Sequence, residues 1–467
     1  MKNMYLKNVK RSFFLYIMFS LLTGGFLFHF LPSYPHAENE GMTNKVFTAG
    51  EKVAIIEDNE QAGLVRLDLL KKAETRLAIT YHTFHAGVWT DAFMAAVFEA
   101  ADRGVEVDIL FDGVLHNMRG DLRVIPYMLS THPNITLKYY EPFNPFRPYT
   151  WHNRMHDKLI IVDDHYVMTG GRNIGDKYFK SDVDDIVYDR DIILVKEEIN
   201  RDDQMSAITE MRQYFDELFY HSYSYEPIFA PSFYRERAVT EKKETLHEVH
   251  ETFGKLVHLN MSEWEEEAIQ VENIQIWHNP IERMNHTPVI WQNLMHLVTA
   301  AEESVLIQSP YIIPTDVMTS SFQKEMADDI QLKILTNSKE VTPNLLAYSG
   351  YDRYRGSLAE NGAALYEYGG AGSIHGKTFI IDSHYSVIGS FNVDPRSAFL
   401  NTETVIVIEG EEFATALDAK IGNLKMDTRL VTKNNIQETD ESEGVSFFKR
   451  AVLRLLTPFV PFIESLL

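Results

Sequence analysis

A chain of 467 residues is long enough for about two to three ordinary domains, each with a substantial core. Hydrophobic content of 45% and aromatic content of 12% exclude a disordered or fibrous protein, and a formal charge of −23 opposes general binding to nucleic acid. With no cysteine, disulfides, thiolate metal sites and a cysteine nucleophile are excluded as well.

The first predicted element runs from Ser12 to Leu31, about 20 residues without Asp, Glu, Lys or Arg, which matches the thickness of a bilayer core. Lys2, Lys7, Lys10 and Arg11 precede it, so the positive-inside tendency keeps that end cytoplasmic and exports the rest. A cleaved signal peptide competes with an uncleaved anchor. The apolar run is longer than a signal core, and Ala37 offers a poor cleavage site. Residues 1–45 are therefore read as a membrane anchor or signal segment.

Two stretches then repeat. Lys72 to Phe84 (KAETRLAITYHTF) and Ala300 to Ile312 (AAEESVLIQSPYI) each read as a helix end followed by a strand. A helix and a second strand follow each, ending at Asp112 and Asn337, and third strands start at Asn134 and Gly362. Such alternation predicts mainly parallel sheets covered on both faces. The halves are placed at residues 46–225 and 271–410, with an inter-domain linker or helical insertion at 226–270. In that insertion His247 and His250 stand at helical i, i+3 spacing. No third ligand is near, so a solvated amphipathic helix is preferred to a metal site. Residues 411–467 form a tail. Its last segment, from Val445, is apolar but carries Lys449, Arg450 and Arg454, and Pro458 and Pro461 prevent one long helix. An interfacial amphipathic element and a helix packed on the body both fit it.

The chemistry lies in a duplicated motif. His156, Lys158 and Asp163 stand at H-x-K-x4-D, and His375, Lys377 and Asp382 repeat the spacing. Asn173 follows His156 by seventeen residues and Asn392 follows His375 by seventeen, in the turns GGRN and GSFN. A three-point match of this kind arises by chance on the order of 10⁻⁴ per position. Two copies with matching asparagines therefore mark a duplicated functional element rather than two core strands with polar ends.

These paired motifs resemble the phospholipase D superfamily, over nearly everything from Ala54 to Glu409. RMHDK, GGRNIGDKYF, GSFNVDPRS and LNTE are similar to bacterial cardiolipin synthases of the short C-type branch, as are Tyr351, Arg353, Tyr354 and Arg355 in a YxRYR pattern. The resemblance implies two duplicated α/β/α sandwich domains sharing one active site, preceded here by one N-terminal transmembrane helix. Two features depart from it: a single anchor where other branches carry two, and the polar stretch HTFHAGVWTD where more aromatic residues are expected.

Phosphodiester exchange requires a nucleophile, a proton donor for the leaving alcohol, and cations or N–H donors for the phosphoryl oxygens. The two motifs supply this set without a metal or other cofactor. One neutral imidazole attacks phosphorus to give a phosphohistidine, and the other, protonated, donates to the departing oxygen. By analogy with the superfamily, His156 is the nucleophile and His375 the acid. Lys158 and Lys377 neutralise the phosphoryl oxygens, with Asn173, Asn392 and Ser390 adding hydrogen bonds. Asp163 and Asp382, beyond the apolar strand of each motif, are expected to brace the loop that carries the lysine. In the superfamily a further acidic residue orients each histidine, and by position it is Glu403 in LNTETVIVI and Asp191 in YDRDIILV. A plain strand-edge acid is the other reading of Asp191.

The resemblance thus implies a membrane-associated phosphatidyltransferase that makes cardiolipin from phosphatidylglycerol, with phosphatidylethanolamine as another donor, and the apolar run with its preceding cations implies a single-pass protein whose catalytic body lies outside the cytoplasm. A phospholipase D-type hydrolase releasing phosphatidic acid would use the same residues. A phosphodiesterase acting on nucleic acid is disfavoured by the negative charge. A non-catalytic scaffold is disfavoured because both histidines are intact.

Overall fold

The computed structural model describes residues 51–196, 206–229, 233–260, 264–316, 330–436 and 447–467, together with 47–48, 318 and a few positions between 11 and 19. The first half contributes β1 (Phe47–Thr48), β2 (Glu51–Ile56), β3 (Arg76–Tyr81), β4 (Glu106–Asp112), β5 (Ile135–Tyr140), β6 (Leu159–Val162), β7 (Tyr166–Gly170), β8 (Val187–Tyr188), β9 (Asp191–Lys196) and β10 (Ser224–Tyr225). The second contributes β11 (Ile269–Gln270), β12 (Asn273–His278), β13 (Ser304–Gln308), β14 (Gln331–Asn337), β15 (Ala364–Tyr368), β16 (Ser373–Ile374), β17 (Thr378–Ile381), β18 (Tyr385–Gly389), β19 (Thr404–Glu409) and β20 (Thr428–Val431).

They form two sheets of like topology, β10-β5-β4-β3-β6-β7-β9-β2-β11 and β1-β12-β19-β18-β17-β13-β14-β15-β20. The halves exchange edges: β1 pairs with β12 in the second sheet, and β11 pairs with β2 in the first. The expectation of mainly parallel sheets is corrected. Only β3-β4-β5 and β13-β14-β15 run parallel, and the other neighbours within these sheets are antiparallel. The reason is local. Asp163–His165 joins β6 to β7 and Ser383 and its neighbours join β17 to β18, turns far too short for a parallel crossover. Asp163, Asp382 and Ser383 take φ of 48°, 51° and 51°, the left-handed conformation that Asp tolerates better than most residues.

Strand alternation explains why runs such as Leu159–Val162 are apolar throughout. Leu159 and Ile161 face a core shared by both halves, which also holds Ile192, Leu194, Ile406 and Ile408. Ile160 and Val162 face an outer layer with helices Asn59–Lys72 and Val88–Asp102. Helix Ala207–Tyr220 completes the shared core with Ile208, Met211 and Phe215.

Two boundaries shift. Helix Phe233–Asn260 is no free linker: Leu246 and Phe253 enter the first core, and Lys242 bonds Asp91. His247 on this helix is exposed. Helix Glu411–Lys425 buries Phe413, Ala414, Leu417 and Ile421 in the shared core, and β20 closes the second sheet, so the second domain extends past 410 to Val431. The last segment packs on this domain through Leu453 and Val460, leaving Leu455, Phe459 and Phe462 exposed. No helix among the described residues is long and apolar enough to cross a membrane, and most of Ser12–Leu31 lies outside those residues.

Candidate active site

Each motif histidine stands on the segment leading into a central strand, β6 or β17, and each segment is hydrogen-bonded to the other half. His156 N donates to Thr402 O (3.2 Å), and Thr402 N donates to Arg154 O (3.0 Å). With the halves exchanged, His375 N donates to Tyr188 O (2.7 Å), and Ser373 N donates to Ile186 O (3.0 Å), where β16 runs beside β8. The backbone at this seam therefore brings both motifs into one site.

The carboxylates follow the same exchange. His156 Nδ1 lies 3.0 and 2.9 Å from the two oxygens of Glu403, the position read from the sequence. His375 Nδ1 lies 2.6 Å from Oδ2 of Asp189. Asp191, expected in that role, is corrected: its carboxylate is buried and held by Arg66 (2.9 and 3.0 Å) and Arg172 (2.9 Å). Asp191 begins β9 and its side chain turns into the first core, whereas Asp189 precedes the strand and stays at the seam. Aligning the full apolar runs Ile192–Val195 and Val405–Ile408 would place Arg190 opposite Glu403, so spacing alone does not single out Asp189. Between the two acids, Arg190 pairs with Glu57 and donates to Gln308 Oε1 (2.8 Å) and Thr378 Oγ1 (2.7 Å), tying the halves together beside Lys377. Nothing in the residue spacing points to that tie.

Three further expectations change. Ser390 donates to Glu403 and accepts from Thr404 N (3.1 Å), so it holds the carboxylate rather than phosphate. Its counterpart is Gly171, where a Cβ would lie 2.2 Å from Asp189 Oδ1, so the first half can carry no side chain there. Asp163 accepts from Glu74 N, Thr75 N and Arg76 N, and Asp382 accepts from Glu302 N, Glu303 N and Ser304 N. They brace the starts of β3 and β13, not the lysine loops. Asn173 and Asn392 are buried near the motifs, each with an Oδ1 that has no partner. A buried orphan amide is the kind of group a ligand satisfies. A half-turn of the amide would present its NH2 to a phosphoryl oxygen.

Lys158 and Lys377 each donate to the carbonyl of the histidine two residues earlier. Burial pushes Lys158 down to about 7 and Lys377 to about 8, against the pull of nearby carboxylates. His156 is held well below its usual value by burial and by Lys158, and His375 is lowered to about 4 by burial and Lys377 in spite of Asp189. The carboxylates separate. Burial lifts Glu403 to about 8, whereas Lys377 and His375 outweigh burial and lower Asp189 to about 2. Asp189 thus carries the firmer negative charge. A phosphate anion between the lysines would offset the cations that suppress both imidazolium forms. His82 also borders the site, its ring edge-on to His156 at 4.8 Å and its Nδ1–H donating to Met155 O (2.7 Å).

A family model described as a cardiolipin synthase, phospholipase D-like domain, matches residues 67–218 and 294–425, which take in both motifs. The chain belongs to this phospholipase D-like cardiolipin synthase family. Cardiolipin synthase C of Escherichia coli is 27% identical over 448 residues, covering 86% of this chain and 93% of its own. Cardiolipin synthase of Listeria welshimeri is 21% identical over 425 residues, covering 89% and 77%. The crystal structure of phosphatidylserine synthase from Haemophilus influenzae superposes with a TM-score of 0.65 at 14% identity, covering 91% of this chain and 98% of that one, a likeness of fold. As a member of the family the protein is a phospholipase D-like phosphatidyltransferase.

Proposed function

We propose that this phosphatidyltransferase makes cardiolipin, passing a phosphatidyl group from one phospholipid to the glycerol headgroup of phosphatidylglycerol. The observation that carries the reading is the exchanged pairing of His156 with Glu403 and His375 with Asp189, which gives two oriented imidazoles in one site. Each Nδ1 faces a carboxylate, so each Nε2 is the nitrogen left for chemistry. His156 Nε2 attacks phosphorus, the bond from phosphorus to the donor headgroup oxygen breaks, and that oxygen takes the proton of His375. The acceptor hydroxyl then returns a proton to His375 and attacks the phosphohistidine, freeing His156. The firm anion at Asp189 favours His375 as the proton carrier. Lys158 and Lys377 hold the phosphoryl oxygens.

The reading extends to placement: one N-terminal helix within 1–45 anchors the protein in the cell membrane, with the catalytic body outside the cytoplasm, as the cations before Ser12 direct. Protease added to cells with permeabilised walls should then digest the body, and complete protection would reverse the topology. For the reaction, the purified protein is incubated with defined phospholipid mixtures and the lipid products are weighed by mass spectrometry. Cardiolipin with released glycerol or ethanolamine supports the proposal. Phosphatidic acid alone would make the protein a hydrolase.

A further inference from the structure

The geometry points to a bilayer-docking face beside the catalytic seam, formed by the loop 142–151 and the outer side of the C-terminal tail, with the surface of an anionic phospholipid membrane as its partner. It rests on the proposed reading that the substrate is a membrane lipid. The loop exposes Phe146 at 90% and Phe143 at 47%, and the tail exposes Phe462 at 72% and Leu455 at 67%. Large apolar side chains at this exposure, on two segments that one residue ties together, mark an interaction surface rather than ordinary scatter.

Loop and tail are joined at one residue. Arg396 donates from Nη1 to His152 O (3.1 Å), next to the end of the loop, and from Nη2 to Leu466 O (2.7 Å) in the tail. His152 lies four residues before His156, and Arg396 lies four residues after Asn392. The face therefore borders the seam where a lipid headgroup must arrive.

The charge pattern selects a membrane as the occupant. Arg450 and Arg454 are exposed on helix Phe447–Leu456, Arg454 directly preceding the exposed Leu455, in a chain whose formal charge is −23. Cations beside an apolar face suit anionic headgroups.

The absence of cysteine allows clean single-site labelling of the full chain. Nitroxides are attached to Phe146→Cys, Phe462→Cys and, as a control, Glu412→Cys on the exposed side of helix Glu411–Lys425. The variants are reconstituted into phosphatidylglycerol and phosphatidylcholine vesicles, and their exposure to oxygen and to a water-soluble nickel chelate is compared. Labels at 146 and 462 should favour oxygen and the label at 412 the chelate. If 146 and 462 report water, the docking face is wrong. In parallel, Phe146→Asp with Phe462→Asp should lower turnover of vesicle lipid at least 10-fold while leaving a monomeric short-chain phosphatidylglycerol at the parent rate. Equal loss on both substrates would overturn the proposal. Label depth does not depend on turnover: labels in lipid with a parent protein inactive on both substrates would defeat the functional reading and leave the docking face standing.

Discussion

His375 Nδ1 lies 2.6 Å from Oδ2 of Asp189, a residue of the opposite half, while Asp191, two positions on, faces away into a cage of Arg66 and Arg172. Asp189→Asn should remove the anion that supports the His375 imidazolium and disturb its tautomer. Turnover should fall about 10²–10⁴-fold with little change in the urea unfolding midpoint. Asp191→Asn should do the reverse, because it strands two buried guanidinium groups. Its cost is about 3–5 kcal/mol of stability. Turnover and urea unfolding of the two variants separate the roles, and equal stability losses would argue against the assignment.

That distinction shows where the sequence is readable. Histidine and lysine spacing, the seventeen-residue interval to each asparagine and the apolar strands are local properties, and the halves repeat them. Glu403 was legible because it stands alone before its strand. In the DRD triplet, three charged neighbours take three directions: across the seam to His375, across to Gln308 and Thr378, and into the first core. Such directions depend on where a strand begins relative to the other sheet, which single-chain spacing does not encode. The antiparallel hairpins were missed for a different reason: Asp163–Asp164 and Asp382–Ser383 are turn signals hidden inside the motif.

Ser390→Ala removes the hydroxyl held between Glu403 and Thr404 N. A hydrogen bond to a carboxylate contributes about 1.5–3 kcal/mol, so kcat should fall about 10- to 100-fold. The KM for lipid should stay near the parent value, because the serine reaches Glu403 and not phosphate. A rise in KM with unchanged kcat would return Ser390 to phosphate binding.

The lysines set an alkaline limit. Their values near 7 and 8 mean that the free protein loses these cations as pH rises through that range, well below the usual lysine value of 10.5. kcat/KM should therefore decline between about pH 7 and 8. In kcat the decline should move upward, because a bound phosphate anion stabilises the ammonium forms. A pH profile of both parameters checks this, and a kcat/KM flat to pH 9 would contradict it.

Asp163 and Asp382 carry a structural prediction. Each accepts three backbone N–H bonds, which hold its carboxyl below the usual range. A depressed folded value gives stability that is present above the unfolded value near ~3.9 and is lost as pH falls through the folded value. Asp382→Ala should lower unfolding free energy by about 1–3 kcal/mol at neutral pH while leaving kcat within about 2-fold. Chemical denaturation and turnover together test it, and a large fall in kcat with unchanged stability would place the carboxylate in the reaction.

The last prediction assigns the covalent step. Asp189 is the firmer anion, and it supports a proton on His375, whereas the buried Glu403 is pushed toward its neutral form and gives His156 less reason to hold a second proton. A neutral imidazole attacks and a protonated one donates, so His156 should carry the phosphatidyl group. Phosphate-labelled lipid, quenched rapidly at alkaline pH and followed by peptide mapping, should show an acid-labile phosphoramidate on the His156 peptide. His375→Ala should slow its turnover, and His156→Ala should abolish the label while the protein stays folded. Label recovered on the His375 peptide would exchange the two roles, with Glu403 and His156 then forming the acid.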